Sequence, residues 1–167
     1  MSQLITYQES VALIKSLGIK TVDHWRNQFE NYKKEDGFLL PACFIRMEAS
    51  NYRDIGGNSG RQMYDLLVTL MIGTDHYKGT DYEKILELKQ KVFTAYHRFE
   101  PTGTNLIGRF LRNGEEMEIE YNNLLILGQS YLCQNCTDLD AERIGKEVII
   151  DIPVTRTETT IVTEITN

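Results

Sequence analysis

No stretch of this sequence approaches the roughly 18 consecutive apolar residues of a membrane-spanning helix, which argues against a helical membrane protein. Residues 1–9 lack the positive cluster and long apolar core of a secretory signal, so the expected site of synthesis is the cytoplasm. Cysteine is scarce and odd in number, as Cys43, Cys133 and Cys136. Without a signal peptide that pattern points to reduced thiols, and the sequon Asn135-Cys136-Thr137 is then chemically idle. Basic residues are outnumbered, 18 Lys and Arg against 24 Asp and Glu, for a formal net charge of -6. The one local pair, Lys33 and Lys34, is diluted by Glu30, Glu35 and Asp36. Tight nucleic-acid binding needs a concentrated basic surface, so the balance argues against a DNA clamp. It does not argue against a protein past which DNA slides, because phosphates are repelled within a Debye length of about 8–10 Å.

Catalytic signatures are equally thin. There is no Gly-x-Ser-x-Gly elbow. The glycine-rich residues 54–62 lack the Gly-Lys-Ser/Thr ending of a phosphate loop and lead into a strand, where a phosphate loop opens a helix. Cys133-x-x-Cys136 is the only metal-like spacing. A structural zinc site wants four ligands, and His24, His76 and His97 are scattered. The two thiols read as reduced cysteines at a strand end, His76 as a turn residue, and Trp25 as a core or edge anchor. The expectation is a protein that is not an enzyme and holds no cofactor and no metal.

What the sequence does contain is a strand at residues 64–73. Leu66, Val68, Leu70 and Ile72 share one face, while Asp65, Leu67, Thr69 and Met71 share the other. One wholly apolar face and one mixed face place it at the centre of a sheet. Ahead of it, residues 42–48 alternate as a second strand, with Pro41 tolerated at its start. Residues 49–61, with Gly56, Gly57 and Gly60, read as a long mobile loop, so the two strands form a hairpin.

Two helices flank this hairpin. Thr6-x-x-Glu9 has the form of a capping box, followed by Tyr7, Val11, Ile14 and Leu17 at helical spacing and by Gly18 as the terminating residue. Thr80-x-x-Glu83 opens a second helix, with Ile85, Leu88, Val92 and Tyr96 on one stripe, broadened by Leu86, Phe93, Ala95 and Phe99; it stops before Pro101. Residues 19–25 alternate as a further strand, although the run from Val22 to Tyr32 could also form a short helix. Short strands are expected at 106–111 and 117–121, the second with an acidic row, Glu116, Glu118 and Glu120, that reads as a solvated face or a channel lining. An apolar strand follows at 124–132.

After residue 138 the composition shifts to Val, Ile and Thr without aromatics, too thin for a core of its own. Residues 139–167 therefore read as an extended β-arm that adds to a sheet elsewhere, beyond a core domain spanning 1–138. The fold expected is α+β, a mixed or antiparallel sheet of about four to six strands packed against two helices. The interface residues singled out are Gly56, Gly57, Gly60, Arg61 and Gln62 in the loop, and Val148, Ile150, Ile152, Ile161 and Ile165 in the arm.

Taken in order, residues 19–23, Gln28, residues 40–45, Gln62 and its strand, the capped helix from Asp81, and residues 121–124 leading to Tyr131 resemble a family of tail terminator, or head-to-tail joining, proteins of Bacteroides-type phages and prophages. The likeness covers about residues 1–140. It implies a virion protein assembled in the host cytoplasm. Such a protein builds a homo-oligomeric ring, commonly a hexamer, that ends the tail tube and docks it to the connector, with DNA passing through the lumen and no membrane involved. Another neck ring, a stopper or adaptor, is the nearest alternative. A small α+β enzyme or ligand-binding module is the alternative of a different class.

Overall fold

The computed structural model describes residues 2–30, 37–55, 61–75, 81–104, 107–121 and 124–138. Two helices and five strands follow in the order α1 (Ser2–Ser16), β1 (Thr21–His24), β2 (Ala42–Ile55), β3 (Arg61–Asp75), α2 (Asp81–Tyr96), β4 (Leu111–Tyr121) and β5 (Leu124–Asp138). They form a single open sheet ordered β1-β2-β3-β5-β4, antiparallel except for the parallel pair β1–β2. This is the α+β architecture expected, with β3 at its centre. Among the described residues no helix is long and apolar enough to cross a membrane.

Both helices pack on one face of the sheet. Leu66, Val68, Leu70 and Ile72 of β3 join Ile14 of α1, Val92 and Tyr96 of α2, and Tyr131 and Cys133 of β5 in the main core. Ile85, at the start of α2, covers Leu125 and Leu127. Gly18 ends the α1 segment in the left-handed region, at φ 87°, and its N–H donates to Lys15 O at 3.1 Å.

The N-terminus of α1 departs from the capping-box expectation. The helix begins at Ser2, so Thr6 lies inside it. Thr6 Oγ1 donates to Ser2 O at 2.9 Å and Ser10 Oγ to Thr6 O at 2.7 Å. Returning their hydroxyls to their own helix lets Ser2, Thr6, Ser10 and Ile14 form the buried ridge. The Tyr7–Val11 stripe is only half buried. Glu9, freed from capping, accepts from Thr102 N and Gly103 N, both at 2.7 Å, and ties α1 to the segment after α2. A Cβ at Gly103 would lie 2.6 Å from Ile5 Cγ2, so the approach needs glycine.

Three other boundaries differ. Residues 49–55, read as loop, continue β2 and pair with β3 as far as Ile55–Arg61, so of the expected loop only residues 56–60 lie outside the described residues. The strand expected at 117–121 is the second half of β4, which begins at Leu111, while the strand expected at 106–111 is not formed among the described residues ahead of Leu111. Residues 107–110 are not strand: Phe110 instead donates to Phe99 O and accepts from Arg98 N, at 2.8 and 2.7 Å. Those bonds, with Arg98 at φ 68°, also end α2 at Tyr96, ahead of the Pro101 stop. On α2, Ile85, Val92 and Tyr96 are buried as the stripe predicts, but Leu86 is exposed.

The opposite face of the sheet carries a smaller core at one end. Phe29, Phe38 and Trp25 fold over Phe44, Ala42 and Met71, so Trp25 is the anchor expected of it. Phe29 and Phe44 meet edge to face at 4.9 Å. Gly73 makes room for this, because a Cβ there would collide with the Phe29 ring.

Candidate interaction surface

The sheet's other end is organised around Asp65, an acidic residue in the middle of the central strand and only 7% exposed. On each side of it the neighbouring strand carries one extra residue. The β2–β3 register slips between Ser50 and Arg53, and the β3–β5 register slips opposite Tyr64 and Leu66. Each slip contains an asparagine in the left-handed region, Asn51 at φ 54° and Asn135 at φ 58°. Asparagine tolerates that conformation better than other side-chain-bearing residues, which is why it serves at bulges.

Asp65 holds both. Asn51 Nδ2 donates to one carboxylate oxygen at 2.8 Å, and the Asn135 backbone N–H donates to the other at 3.1 Å. These two bonds, first the Asn51 amide and then the Asn135 N–H, with help from Arg53, hold the Asp65 carboxyl below its ordinary range near 3.8. Arg53 also reaches across β3 to Asn135 Oδ1 at 3.3 Å. Three strands are thus bent together at one level by a single carboxylate.

Beyond this brace the ends of β2, β3 and β5 carry the sequence-predicted loop residues. Gln62 pairs with Asp54 on one side and with Asp138 on the other, and its amide donates to Asp54 Oδ1 at 3.2 Å. Arg61 opens β3 opposite Ile55. Tyr52, 57% exposed, stands over the Tyr64 ring at 5.7 Å. Ser2 Oγ lies 3.3 Å from the Tyr64 hydroxyl and ties α1 to the root of the tip. Gly56, Gly57, Gly60 and the arm residues Val148, Ile150, Ile152, Ile161 and Ile165 lie outside the described residues. The chain enters their two segments at the same end of the sheet, next to Gln62.

The same bulge explains the cysteines. A spacing of three along an ideal strand would put Cys133 and Cys136 on opposite faces. The extra residue in β5 returns both to the helix side, buried with Leu66 and Tyr64. The Cys136 thiol donates to the Cys133 carbonyl oxygen at 3.5 Å, and the mutual influence of the two neighbouring thiols lowers the Cys133 pKa and raises that of Cys136. Cys43 lies in the same core, its pKa raised by burial. All three are free thiols, and among the described residues no group of three or more His, Cys, Asp or Glu is placed to hold a metal ion. The acidic row does not alternate without interruption, since the pairing register of β4 shifts between Glu116 and Ile119.

A cleft of about 600 Å³ lies between the C-terminus of α1 and α2. Its polar walls are Thr74, Asp75, Lys84, Glu87 and Lys91, with no Ser, Cys or His among its described lining. The Thr74 hydroxyl is buried there without a hydrogen-bond partner among the described residues.

The Asp65 brace is the feature that sequence reading missed. Its signal was present: an acidic residue inside an otherwise apolar central strand has to be satisfied by something.

No protein-family model matches the chain, and no curated protein matches it. Among solved structures, a chain titled "Virion of native gene transfer agent (GTA) particle" is similar at 10% sequence identity with a TM-score of 0.49. The match covers 78% of this chain and 91% of that chain. At 10% identity and a TM-score under 0.5 the likeness carries no functional argument.

Proposed function

We propose that this chain is a structural protein of a phage particle, a ring subunit at the head–tail junction of the tail-terminator kind. The observation that carries the reading is the convergence at Gln62. Residues 56–60 and the segment after Asp138 are far apart in the sequence, yet both are reached from adjacent strands at one end of the sheet. A ring subunit needs such a pole, from which flexible segments reach its neighbours while a braced sheet holds their roots in place. The resemblance carried by residues 1–140 points the same way. The net charge of -6 suits a lumen through which DNA passes without sticking.

The test is the native mass of the particle together with its position. Mass photometry of the full chain is expected to give a closed ring, with a hexamer the first expectation. Electron microscopy with tail tube and connector would put that ring at the junction and separate a terminator from a stopper or adaptor. Removing residues 141–167 is expected to leave a folded core that does not assemble. A truncated protein that builds the same ring would sink the role given to the arm. A monomer with a ligand in the α1–α2 cleft would favour the enzyme or ligand-binding reading, which the unpartnered Thr74 hydroxyl supports.

A further inference from the structure

We propose that residues 148–152 of one copy add as a strand to the outer edge of β2 in the next copy, alongside residues 46–50. This rests on the ring reading and names the surface that would close the ring.

The acceptor is an unfinished edge. β1 pairs only with Ala42 to Ile45, and the Ile45 carbonyl is taken by Trp25 N at 2.9 Å. From Arg46 onward β2 has β3 on one side and, among the described residues, no strand on the other. The stretch ends at Asn51, whose left-handed bulge breaks the line of the edge. A strand edge of this kind takes up a partner through main-chain hydrogen bonds.

The donor fits in length, composition and position. Residues 148–152, Val-Ile-Ile-Asp-Ile, match the open stretch in length and end at Pro153, which cannot donate to a ladder. The described chain ends at Asp138, across Gln62 from Asp54 of β2, so the arm departs from the end of the sheet at which the open edge also finishes. The intervening residues 139–147 span about 30 Å at most, which bounds how far from Asp138 the acceptor edge can lie.

Side-chain chemistry matches as well. Met47 and Ala49 are partly buried against the main core, while Arg46 and Glu48 form an exposed ion pair at 2.6 Å. An added strand would turn Val148, Ile150 and Ile152 toward Met47 and Ala49, and Ile149 and Asp151 toward Arg46. The sheet's other edge is a poorer host. β4 changes register twice, and its sequence holds four glutamates, a poor match for an arm where acidic residues outnumber basic ones.

The experiment is a cysteine cross-link in the full chain, whose native cysteines are all buried. Glu48→Cys is combined in turn with Ile149→Cys, Ile150→Cys and Asp151→Cys, and mild oxidation is followed by a denaturing, non-reducing gel. Covalent species of two and more copies are expected with position 149 or 151 and not with 150, because alternate strand residues face opposite ways. Cross-linked monomers alone would mean that the arm folds back on its own copy, and would overturn the proposal. An assembled ring without a cross-link overturns the edge pairing and leaves the ring reading standing. A monomeric native mass overturns both. In parallel, Ile150→Pro is expected to weaken assembly at least ~tenfold while the core's melting temperature stays unchanged. Normal assembly of that variant would count against the strand.

Discussion

At the end of the sheet where Ala42, Gly73 and Ile126 lie side by side, the strands are held by aromatic rings. At the opposite end, where Ser50, Asp65 and Asn135 meet, they are held by one carboxylate and two left-handed asparagines. Ring packing is strong and largely non-directional, so it supplies stability and tolerates small shifts. Hydrogen bonds to a carboxylate contribute less than a buried ring, about 1.5–3 kcal/mol each, but accept only a narrow geometry. The first end therefore keeps the sheet folded, and the second fixes where its projecting tip points. If the tip meets other subunits as proposed, it needs the second kind of hold.

Substitutions can separate these two roles. Phe44→Ala, which empties the centre of the aromatic cluster, is expected to cost about 3–5 kcal/mol in chemical denaturation. Gly73→Ala forces the Phe29 ring aside and is expected to cost about 1–3 kcal/mol by the same measurement. Both variants should assemble normally wherever they remain folded. Asn51→Ala removes a donor to Asp65 and places alanine in a left-handed conformation, so a loss of about 1–2 kcal/mol is expected. Its assembly defect should exceed what that loss explains. If Asn51→Ala assembles as well as Phe44→Ala at matched stability, the division of labour is wrong.

Acid sharpens the comparison further. The Asp65 carboxyl titrates below its unfolded value, so its contribution is complete above that value, near pH 4, and disappears as pH falls through the folded pKa. Asp65→Asn should therefore show a flatter fall in stability between pH 5 and 3 than the parent, followed by urea midpoints. A parallel fall in both proteins would mean that other carboxylates set the acid limb. The smallest effect on stability belongs to Tyr52→Ala, about 0.5 kcal/mol or less for a side chain that stands mostly in water. Any larger consequence should appear only in assembly.

Much of this architecture was legible in the sequence because β3 and α2 bury residues that are plainly apolar. Their periods of two and 3.6 survive in the structure as Leu66–Val68–Leu70–Ile72 and Ile85–Val92–Tyr96. The rest was hidden for identifiable reasons. α1 buries hydroxyls, and Ser and Thr carry no hydrophobic period even when helix carbonyls satisfy them. Residues 49–55 read as loop because Tyr52 and Ile55 are nearly their only apolar residues and glycines follow; a strand that projects beyond the helices stands in water and needs no apolar period. β4 fills the gap expected between 111 and 117, where Asn113-Gly114 brings only a register shift between Arg112 and Gly114 inside a continuous strand. Of the candidate surface, Arg61 and Gln62 were found from the glycine loop. Asp65, Asn51 and Asn135 were not, since a brace between strands is a property of pairing that no single segment reveals.

The hydroxyl ridge of α1 has a mechanical consequence. Ser2 and Ser10 stand eight residues apart, about 12 Å along the helix axis, and each meets a different buried tyrosine, Tyr64 of β3 and Tyr96 of α2. Two such pins act as a gauge. A helix held at one point can pivot or slip by a turn, whereas one matched at two points on separate elements has a single axial setting. Ser10→Ala would leave the first pin in place and free α1 to swing about it, loosening the Glu9 tether before the sheet itself feels the change.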